Sequence, residues 1–396
     1  MKFVTLSSMV LLLTCVVGSV SALESKGVVS VEGRIFFEDE LDPKQKGSSF
    51  SVSFNPEVYG ESDSGRHAFA FSPFARIDQY DDERSHYDIR ELAWLYIERS
   101  WELRLGIRKV FWGVTESQHL VDIVNQTDLV EDLDGEDKLG QPMVNLALIQ
   151  NWGTVDLFVL PYFRDRTFSG EKGRLRSHPY VDVDQAGYES DDEENHIDYA
   201  IRWAHSIDVF DLGVSYFKGT SRDPNLLPGQ NNGEPVLVPH YPQIEQIGLD
   251  AQATLDAWLW KLEAIHRKYK SDDYNAFTAG FEYTFYGVFE TVADVGVIYE
   301  LLYDDRGNDA TTPFEDDSMF GMRLAFNDVS STDLLAGLIL DHEGDAQALN
   351  VEASRRIDSH WKVNFIMRGY LNVDEADALY SFRNDDYAQV ELLYYF

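Results

Sequence analysis

The chain has 396 residues, with 69 acidic against 33 basic side chains and a formal net charge of −36. Binding to a phosphate backbone needs clustered lysine and arginine, so this charge argues against nucleic acid as a partner. The single cysteine, Cys15, lies near the amino terminus, so the rest of the sequence offers no disulfide, thiolate metal site or cysteine nucleophile.

The first 22 residues have the pattern of a secretory signal peptide. Lys2 is positive, the run 9–17 is apolar, and 20–22 form a small-residue cleavage motif. The apolar run is shorter than the roughly 20 residues that a helix needs to cross a bilayer. We therefore predict a signal peptide over 1–22 that is removed at its end, and a mature chain over 23–396.

From residue 28 onward, the sequence alternates between apolar and polar residues. In one such segment, Trp101, Leu103 and Leu105 alternate with Glu102 and Arg104. A period of two indicates a strand with one apolar side. The alternation predicts strands near 28–38, 49–60, 66–78, 86–98, 101–111, 143–151, 153–163, 196–206, 208–218, 244–255, 258–269, 274–285, 289–303, 318–327, 331–341, 347–357, 360–371 and 385–396.

The connections between these segments are short and long in turn. Tight turns at one end and long loops at the other are typical of outer-membrane barrels, whereas a soluble sandwich has no reason to separate its loops in this way. The short connections lie at 61–65, 100, 152, 207, 256–257, 286–288, 328–330 and 358–359. The long ones lie at 39–48, 79–85, 112–142, 164–195, 219–243, 304–317, 342–346 and 372–384, with a shorter one at 270–273.

Together these patterns predict an all-β fold. We expect a closed antiparallel transmembrane β-barrel of 16–18 strands, with eighteen favoured, which has short periplasmic turns and long extracellular loops. An even number of strands lets the first strand pair antiparallel with the last one and leaves no open edge.

The carboxyl-terminal segment 387–396 alternates apolar residues and ends in an aromatic one. This pattern, with Tyr394 and Phe396 on the same apolar parity, resembles the signal by which bacterial outer-membrane proteins are recognised for barrel insertion. The resemblance implies a location in the bacterial outer membrane and an interaction with the barrel-assembly machinery through the last strand. Outer-membrane lipid and lipopolysaccharide would surround such a barrel.

A second resemblance lies in the middle of the chain. Residues 104–113 read Arg-Leu-Gly-Ile-Arg-Lys-Val-Phe-Trp-Gly, and 125–129 read Asn-Gln-Thr-Asp-Leu. This is similar to the L-G-x-Q-x-x-x-W-G strand and N-x-x-D loop of a poorly characterised group of porin-like barrel proteins, with Arg108 at the glutamine position. The resemblance implies a barrel with a structured loop after this strand, and it implies no substrate.

Alternation places charged side chains of both signs on the inner face of the barrel. Acidic and basic residues nearly balance there, so most of the acidic excess lies in the loops. Buried charges must be paired or solvated, so the wall predicts either a water-filled lumen or an ion-pair network that only holds the barrel together. The lumen-wall candidates are Glu102, Arg104, Arg108, Arg90, Arg202, Arg323 and Arg368.

The loop 112–142 combines acidic side chains with apolar residues that a surface loop seldom has. It is predicted to pack on another part of the protein, either inside the lumen as a constriction or outside as a lid or subunit contact. As a constriction, its carboxylates and the facing arginines would set up a transverse field and favour small polar or cationic solutes. The candidate pore residues are Glu116, His119, Asp122, Asp128, Glu131 and Asp134.

Three classes of function fit such a barrel. A porin or channel for passive diffusion of small hydrophilic solutes, with a preference for cations, is favoured. A structural or adhesive barrel plugged by its own loops is the alternative. An outer-membrane hydrolase is less favoured, because the sequence has neither a Gly-x-Ser-x-Gly elbow nor a His-Glu-x-x-His motif. No catalytic residue, cofactor or metal site is predicted, and the sequence is compatible with a homo-oligomer.

Overall fold

A computed structural model describes residues 20–270 and 272–396. Within these ranges, eighteen strands form one antiparallel barrel and three more strands form a separate small sheet. The barrel strands are β1 (Val20–Phe36), β2 (Ser48–Ser62), β3 (His67–Asp78), β4 (Tyr87–Ile97), β5 (Trp101–Arg108), β6 (Gln141–Gln150), β7 (Gly153–Leu160), β9 (Asp198–Ile207), β10 (Phe210–Thr220), β13 (Gln243–Leu255), β14 (Trp258–Lys268), β15 (Asp273–Phe285), β16 (Asp294–Asp304), β17 (Asp316–Ala325), β18 (Asp333–Asp341), β19 (Gln347–Arg356), β20 (Trp361–Leu371) and β21 (Tyr387–Tyr395). The small sheet holds β8 (Gly187–Tyr188), β11 (Asn225–Asn231) and β12 (Glu234–Tyr241), and short 3-10 helices lie at Val183–Gln185, Glu193–Asn195, Val288–Glu290, Gly307–Asp309 and Ala378–Phe382.

The barrel closes by pairing of its first and last strands. β1 pairs antiparallel with β2 on one side and with β21 on the other, with Val28 opposite Tyr395. Just beyond that register, the backbone N–H groups of Gly27 and Phe396 each donate to the carbonyl of the other at 3.1 Å. Closure satisfies the backbone groups that an edge strand would leave unpaired. The predicted closed antiparallel barrel, with eighteen strands, is confirmed.

The two faces of the wall differ as the alternation predicts. In β1, Ser30, Glu32 and Arg34 are 1%, 2% and 7% exposed, whereas Val31 and Ile35 between them are 39% and 62% exposed. Successive side chains of a strand point to opposite sides, so the polar residues face the lumen and the apolar ones face outward. An apolar outer surface around a polar interior is the arrangement of a barrel that crosses lipid.

The connections fall at two ends of the barrel, as predicted. One end holds the turns 63–66, 98–100, 151–152, 208–209, 256–257, 286–293, 326–332 and 357–360. The opposite end holds nine loops, here L1 to L9, at 37–47, 79–86, 109–140, 161–197, 221–242, 269–272, 305–315, 342–346 and 372–386. Most of them are longer than the turns, but L6 and L8 are shorter than the turns 286–293 and 326–332.

Several predicted strand boundaries are wrong: β1 begins at Val20 and not at 28, and β5 and β7 end three residues before their predicted ends. The strand expected to begin at 289 begins at Asp294 instead. Gly287 and Phe289 have left-handed backbone angles, with φ of 61° and 56°, and a 3-10 turn covers Val288–Glu290. The apolar residues at 288–289 match a strand pattern, but this backbone conformation cannot continue a strand.

An aromatic belt marks the turn end of the barrel. The rings of Trp258 and Trp260 stack at 5.5 Å, and Tyr283 packs against Trp258 at 4.6 Å. Further along the wall, Trp361 and Tyr394 pack at 4.8 Å. Tryptophan and tyrosine prefer the boundary between hydrocarbon and water, so the belt defines one limit of the apolar band.

Most of the predicted signal peptide, residues 1–19, lies outside the described residues, and 20–22 form the start of β1. In the described part of the chain, no helix has the length and apolar character needed to span a membrane.

Candidate pore constriction

Loop L3, residues 109–140, lies inside the barrel. Its apolar residues Val121, Ile123 and Val124 are at most 1% exposed. They belong to a buried cluster that also contains Phe158 and Phe217, which point inward from β7 and β10. An apolar stretch on a loop is thus buried against apolar residues that face the lumen, which explains why a loop has this composition.

A buried carboxylate on β14 holds one arm of L3. Glu263 is fully buried, and its Oε1 accepts hydrogen bonds from the backbone N–H groups of Val114 and Thr115 at 2.6 and 3.0 Å and from the Thr115 hydroxyl at 2.7 Å. Its Oε2 accepts from the N–H of Val121 at 3.2 Å. A carboxylate in such a place is stable only when donors surround it, and here the loop supplies them.

Glu300 on β16 holds the next residues of the same arm. Its two carboxylate oxygens accept from the backbone N–H groups of Glu116 and Ser117, both at 2.8 Å, and from the Ser117 hydroxyl at 2.6 Å. The side chain of Glu116 then pairs with Arg323 at 2.7 Å and with Lys261 at 3.4 Å. One arm of L3 is therefore fixed to the wall formed by β14 to β17.

The other arm of L3 is held by arginines from the opposite wall. Arg76 of β3 donates two hydrogen bonds to the Glu131 carboxylate, each of 2.8 Å, and its Nη1 donates to Glu32 at 3.1 Å. Arg84 of L2 donates to the carbonyl of Val130 at 2.8 Å. Burial alone would raise the pKa of Glu131, but Arg76 and its neighbours hold that pKa below its usual value.

The tip of L3 reaches a third part of the wall. Arg368 of β20 pairs with Asp132 at 2.6 Å and with Asp134 at 2.9 Å. Together with the contacts at Glu263 and Glu131, this shows that L3 crosses the lumen from β14–β17 to β1–β3 and β20. L3 therefore contacts residues on the inner face of the wall at three separate places.

The residues of the Trp-Gly and Asn-x-x-Asp segments hold L3 in shape. Asn125 accepts from the N–H of Val110 and donates to the carbonyls of Arg108 and Leu139, which ties the two ends of the loop together. Gly113 lies against the ring of His119, where any Cβ would collide with ring atoms. The motif thus describes how the loop is built and is not itself a solute site.

The predicted pore residues divide into two groups. Glu116, His119, Asp122 and Asp134 line the open space beside L3, although Asp122 also accepts hydrogen bonds from the N–H groups at 112 and 113. Asp128 and Glu131 do not line that space. Asp128 is completely buried and accepts a hydrogen bond from Thr167 of L4, and Glu131 is held by Arg76 and Arg90. Their charges anchor the loop.

The predicted lumen-wall residues all lie on the inner face. Arg104 pairs with Glu102 and, at 3.4 Å, with Asp156, while Arg202 pairs with Asp250 at 2.6 Å. Arg108 lies within hydrogen-bond distance of Asn145, and the guanidinium of Arg90 lies 3.5 Å over the ring of Phe74. Arg323 and Arg368 contact L3.

The predicted residues of the insertion signal lie on the outer face. Tyr394 belongs to the last strand, and Phe396, just after it, stacks on Phe54.

Loop L4 and its neighbours cover the long-loop end of the lumen. Arg174 of L4 pairs with Asp385 of L9 at 2.5 Å, and the carbonyl of Gly173 accepts from Gln45 of L1 at 2.8 Å. In L5, β11 and β12 form a hairpin, and β8 of L4 pairs parallel with β12 to complete the small sheet. These contacts make a roof whose parts come from four loops.

Between L3, the roof and the wall there is a chamber of about 700 Å³. Its wall includes Met319, Leu335 and Ile339, and its L3 side includes Glu116 and Asp134. This volume lies in the range of sites that hold small organic molecules. Sequence reasoning predicted a constriction but gave no indication of a chamber, because the roof is built from loops far apart in the sequence.

His119 links the electrostatics of L3 to pH. Its Nε2 lies 2.5 Å from Glu136 and its Nδ1 lies 3.5 Å from Glu263. Burial lowers the pKa of His119, but the two carboxylates outweigh burial and raise it to about 10. Because this value is above the ordinary 6.5, the stabilising contribution is complete below about pH 6.5 and is lost as pH rises through about 10.

We expect a pH rise from 7 to 11 to loosen L3. The open-channel current noise of the reconstituted protein should increase above pH 10, and His119→Gln should show the raised noise already at pH 7 with a flatter pH profile. Equal pH profiles for the two proteins would show that His119 does not control the loop.

No protein-family model matches the chain, and no curated protein matches it. Among solved structures, a mutant of the Rh. blastica porin aligns with 13% identity over 95% of this chain and 100% of its own, with a TM-score of 0.47. OmpT, an outer membrane protein of Vibrio cholerae, with its loop L8 deleted, aligns with 8% identity over 95% and 99%, with a TM-score of 0.46. Such remote similarity implies nothing about solute or selectivity.

Proposed function

We propose that the protein is a channel of the bacterial outer membrane through which small hydrophilic solutes diffuse passively. The observation that carries the proposal is loop L3, which crosses a closed barrel from Glu263 to Arg368 and narrows the lumen to a chamber beside it. The polar side chains on the inner face of the wall support transport of polar solutes. The aromatic belt and the outward apolar residues support the location in lipid.

We further propose that small cations pass more readily than small anions. The carboxylates of L3 are matched by wall cations, as Glu116 is by Arg323 and Lys261. The large acidic excess of the chain must therefore act from the loops and the rim. Exposed charge raises the local concentration of counter-ions, and salt screens this effect with a Debye length of about 10 Å at 0.1 M.

The test is single-channel recording on the purified protein in planar bilayers. We expect discrete conductance steps, a reversal potential that favours cations in a dilute salt gradient, and loss of that preference in 1 M salt. Addition of candidate solutes should reduce the current in proportion to their occupancy of the lumen. A protein that inserts fully folded but gives no conductance would contradict the proposal.

A barrel plugged by its own loops is the second candidate. The burial of Val121, Ile123 and Val124 favours it, because this part of L3 leaves no gap against the wall. Such a protein would insert without conducting. The hydrolase alternative predicts that the protein hydrolyses ester or peptide substrates in an activity screen, whereas a channel would hydrolyse none of them.

The apolar outer face of the barrel and its last strand indicate the partners that we propose. Lipid and lipopolysaccharide would contact the apolar band, and the barrel-assembly machinery would engage the last strand through Tyr394 and Phe396. A homo-oligomer is tested by the mass of the detergent-solubilised protein.

A further inference from the structure

The chamber is richer in basic groups than the chain that encloses it. Seven lysine and arginine side chains line it against five aspartate and glutamate side chains, without counting His119. The whole chain has 33 basic against 69 acidic residues. The chamber lining thus reverses the charge ratio of the chain, although Arg176, Arg222 and Arg368 pair with acids outside the lining.

The basic surplus is concentrated where L4, L5 and β14 meet. Arg166 and Arg267 share one carboxylate, that of Asp223, with distances of 2.6 and 2.7 Å. Burial alone would raise the pKa of Asp223, but the two arginines hold it well below its usual value. Because one carboxylate cannot neutralise two guanidinium groups, this arginine pair keeps a net positive charge beside the chamber.

A strip of apolar side chains lines another part of the chamber. Met319, Leu335 and Ile339 point inward from β17 and β18, and Phe314 of L7 packs with them. A water-filled passage for fully hydrated ions has no need of such a strip, because apolar surface facing water is unfavourable. The strip is suited to the apolar part of a solute.

We propose that the chamber binds a small amphipathic carboxylic acid, with its carboxylate at Arg166 and Arg267 and its apolar body on the strip of Phe314, Met319, Leu335 and Ile339. The inference rests on the proposed channel function, because it names a solute class that binds inside the channel. It does not depend on the proposed preference for small cations, which is attributed to the loops and the rim outside the chamber. Guanidinium groups are suited to carboxylates, since they donate paired hydrogen bonds in one plane. Ile265 of β14 and Tyr274 of β15 add further apolar and aromatic lining to the chamber.

The probe is 3-phenylpropionate, measured by calorimetric titration of the folded full-length protein in detergent and by block of the current in bilayers. Acetate has the charge without the apolar body, 3-phenylpropanol has the body without the charge, and 3-phenylpropylamine has the opposite charge. We expect 3-phenylpropionate to bind at least tenfold more tightly than any of the three. Equal affinity for the acid and the alcohol would overturn the assignment of the arginine pair.

Two variants and one control test the residues. Arg166→Gln and Arg267→Gln should each weaken binding about tenfold, which corresponds to about 1.4 kcal/mol and to the loss of one charge-assisted hydrogen bond. Arg104→Gln changes an arginine of the wall outside the chamber and should leave binding unchanged. If Arg104→Gln weakens binding as much as the other two, general electrostatics and not the arginine pair attracts the acid.

The apolar strip is tested separately with Leu335→Asn. This change should weaken binding of 3-phenylpropionate and leave that of acetate unchanged, and unchanged affinity for both would overturn the role of the strip. The inference and the proposed function can fail independently. Conductance without acid binding would support the channel and overturn the acid site. Acid binding without conductance would support the acid site and overturn the channel.

Discussion

Replacing residues 118–138 by a short glycine–serine linker is expected to raise the single-channel conductance several-fold. The replaced segment contains the tip of L3, including Asp134, and the apolar residues that fill the lumen beside β7 and β10. Its removal leaves the barrel strands and their register intact, because the segment contributes no strand to the barrel. The measurement is the conductance per channel in 1 M salt, where the charged rim is screened.

The matched control shortens only the exposed tip of the roof hairpin in L5, whose residues do not line the chamber. Removal of residues 230–235 from the hairpin of β11 and β12 takes away exposed residues of L5. This variant should conduct like the unaltered protein. Unchanged conductance after the deletion in L3 would show that the passage of ions does not run beside the loop.

Glu131→Gln is expected to lower the free energy of unfolding by about 3–5 kcal/mol, the cost of removing one partner of a buried charge. Arg76 would keep only Glu32, which it shares with Arg34 and Arg84. Glu131 accepts both hydrogen bonds of the Arg76 fork, and both side chains are at most 6% exposed. The measurement is urea unfolding of the protein in detergent micelles. Because the pKa of Glu131 is lowered, its stabilising contribution is present above its ordinary value of 4.5 and is lost as pH falls below that value.

Glu57→Gln is the control for that substitution. Glu57 pairs with Lys26 at 2.9 Å, but the two side chains are 44% and 78% exposed. An exposed pair contributes about 0–1 kcal/mol, so this variant should unfold like the unaltered protein. Equal effects of the two substitutions would mean that the contact between L3 and β3 does not stabilise the barrel.

The barrel could be predicted from the sequence because the patterns that indicate it lie within short stretches of the chain. Alternation within a strand and the length of each connection can be counted along the chain, and both were sufficient to place all eighteen strands. The small sheet of β8, β11 and β12 was not predicted. Pro228 and Pro235 interrupt its strands, and proline is tolerated in a sheet only at edges and strand starts.

The anchoring of L3 could not be predicted in the same way. The apolar residues among its acids indicated that the loop packs on something, and alternation placed Arg323 and Arg368 on the inner face. Nothing in the sequence showed that Glu300 would accept backbone N–H groups of the loop. Such contacts depend on which wall residues the closed barrel brings opposite the loop, and alternation carries no information about that.

The attachment of L3 to distant strands also sets an order of events during folding. The hydrogen bond from Thr115 to Glu263 spans 148 residues, that from Ser117 to Glu300 spans 183, and that from Arg368 to Asp134 spans 234. Hairpins between neighbouring strands form over short separations, whereas these contacts of L3 need β14, β16 and β20 to be in place. The arm of L3 at Glu263 and Glu300 and its tip at Arg368 can therefore be fixed only after the later strands of the barrel have formed.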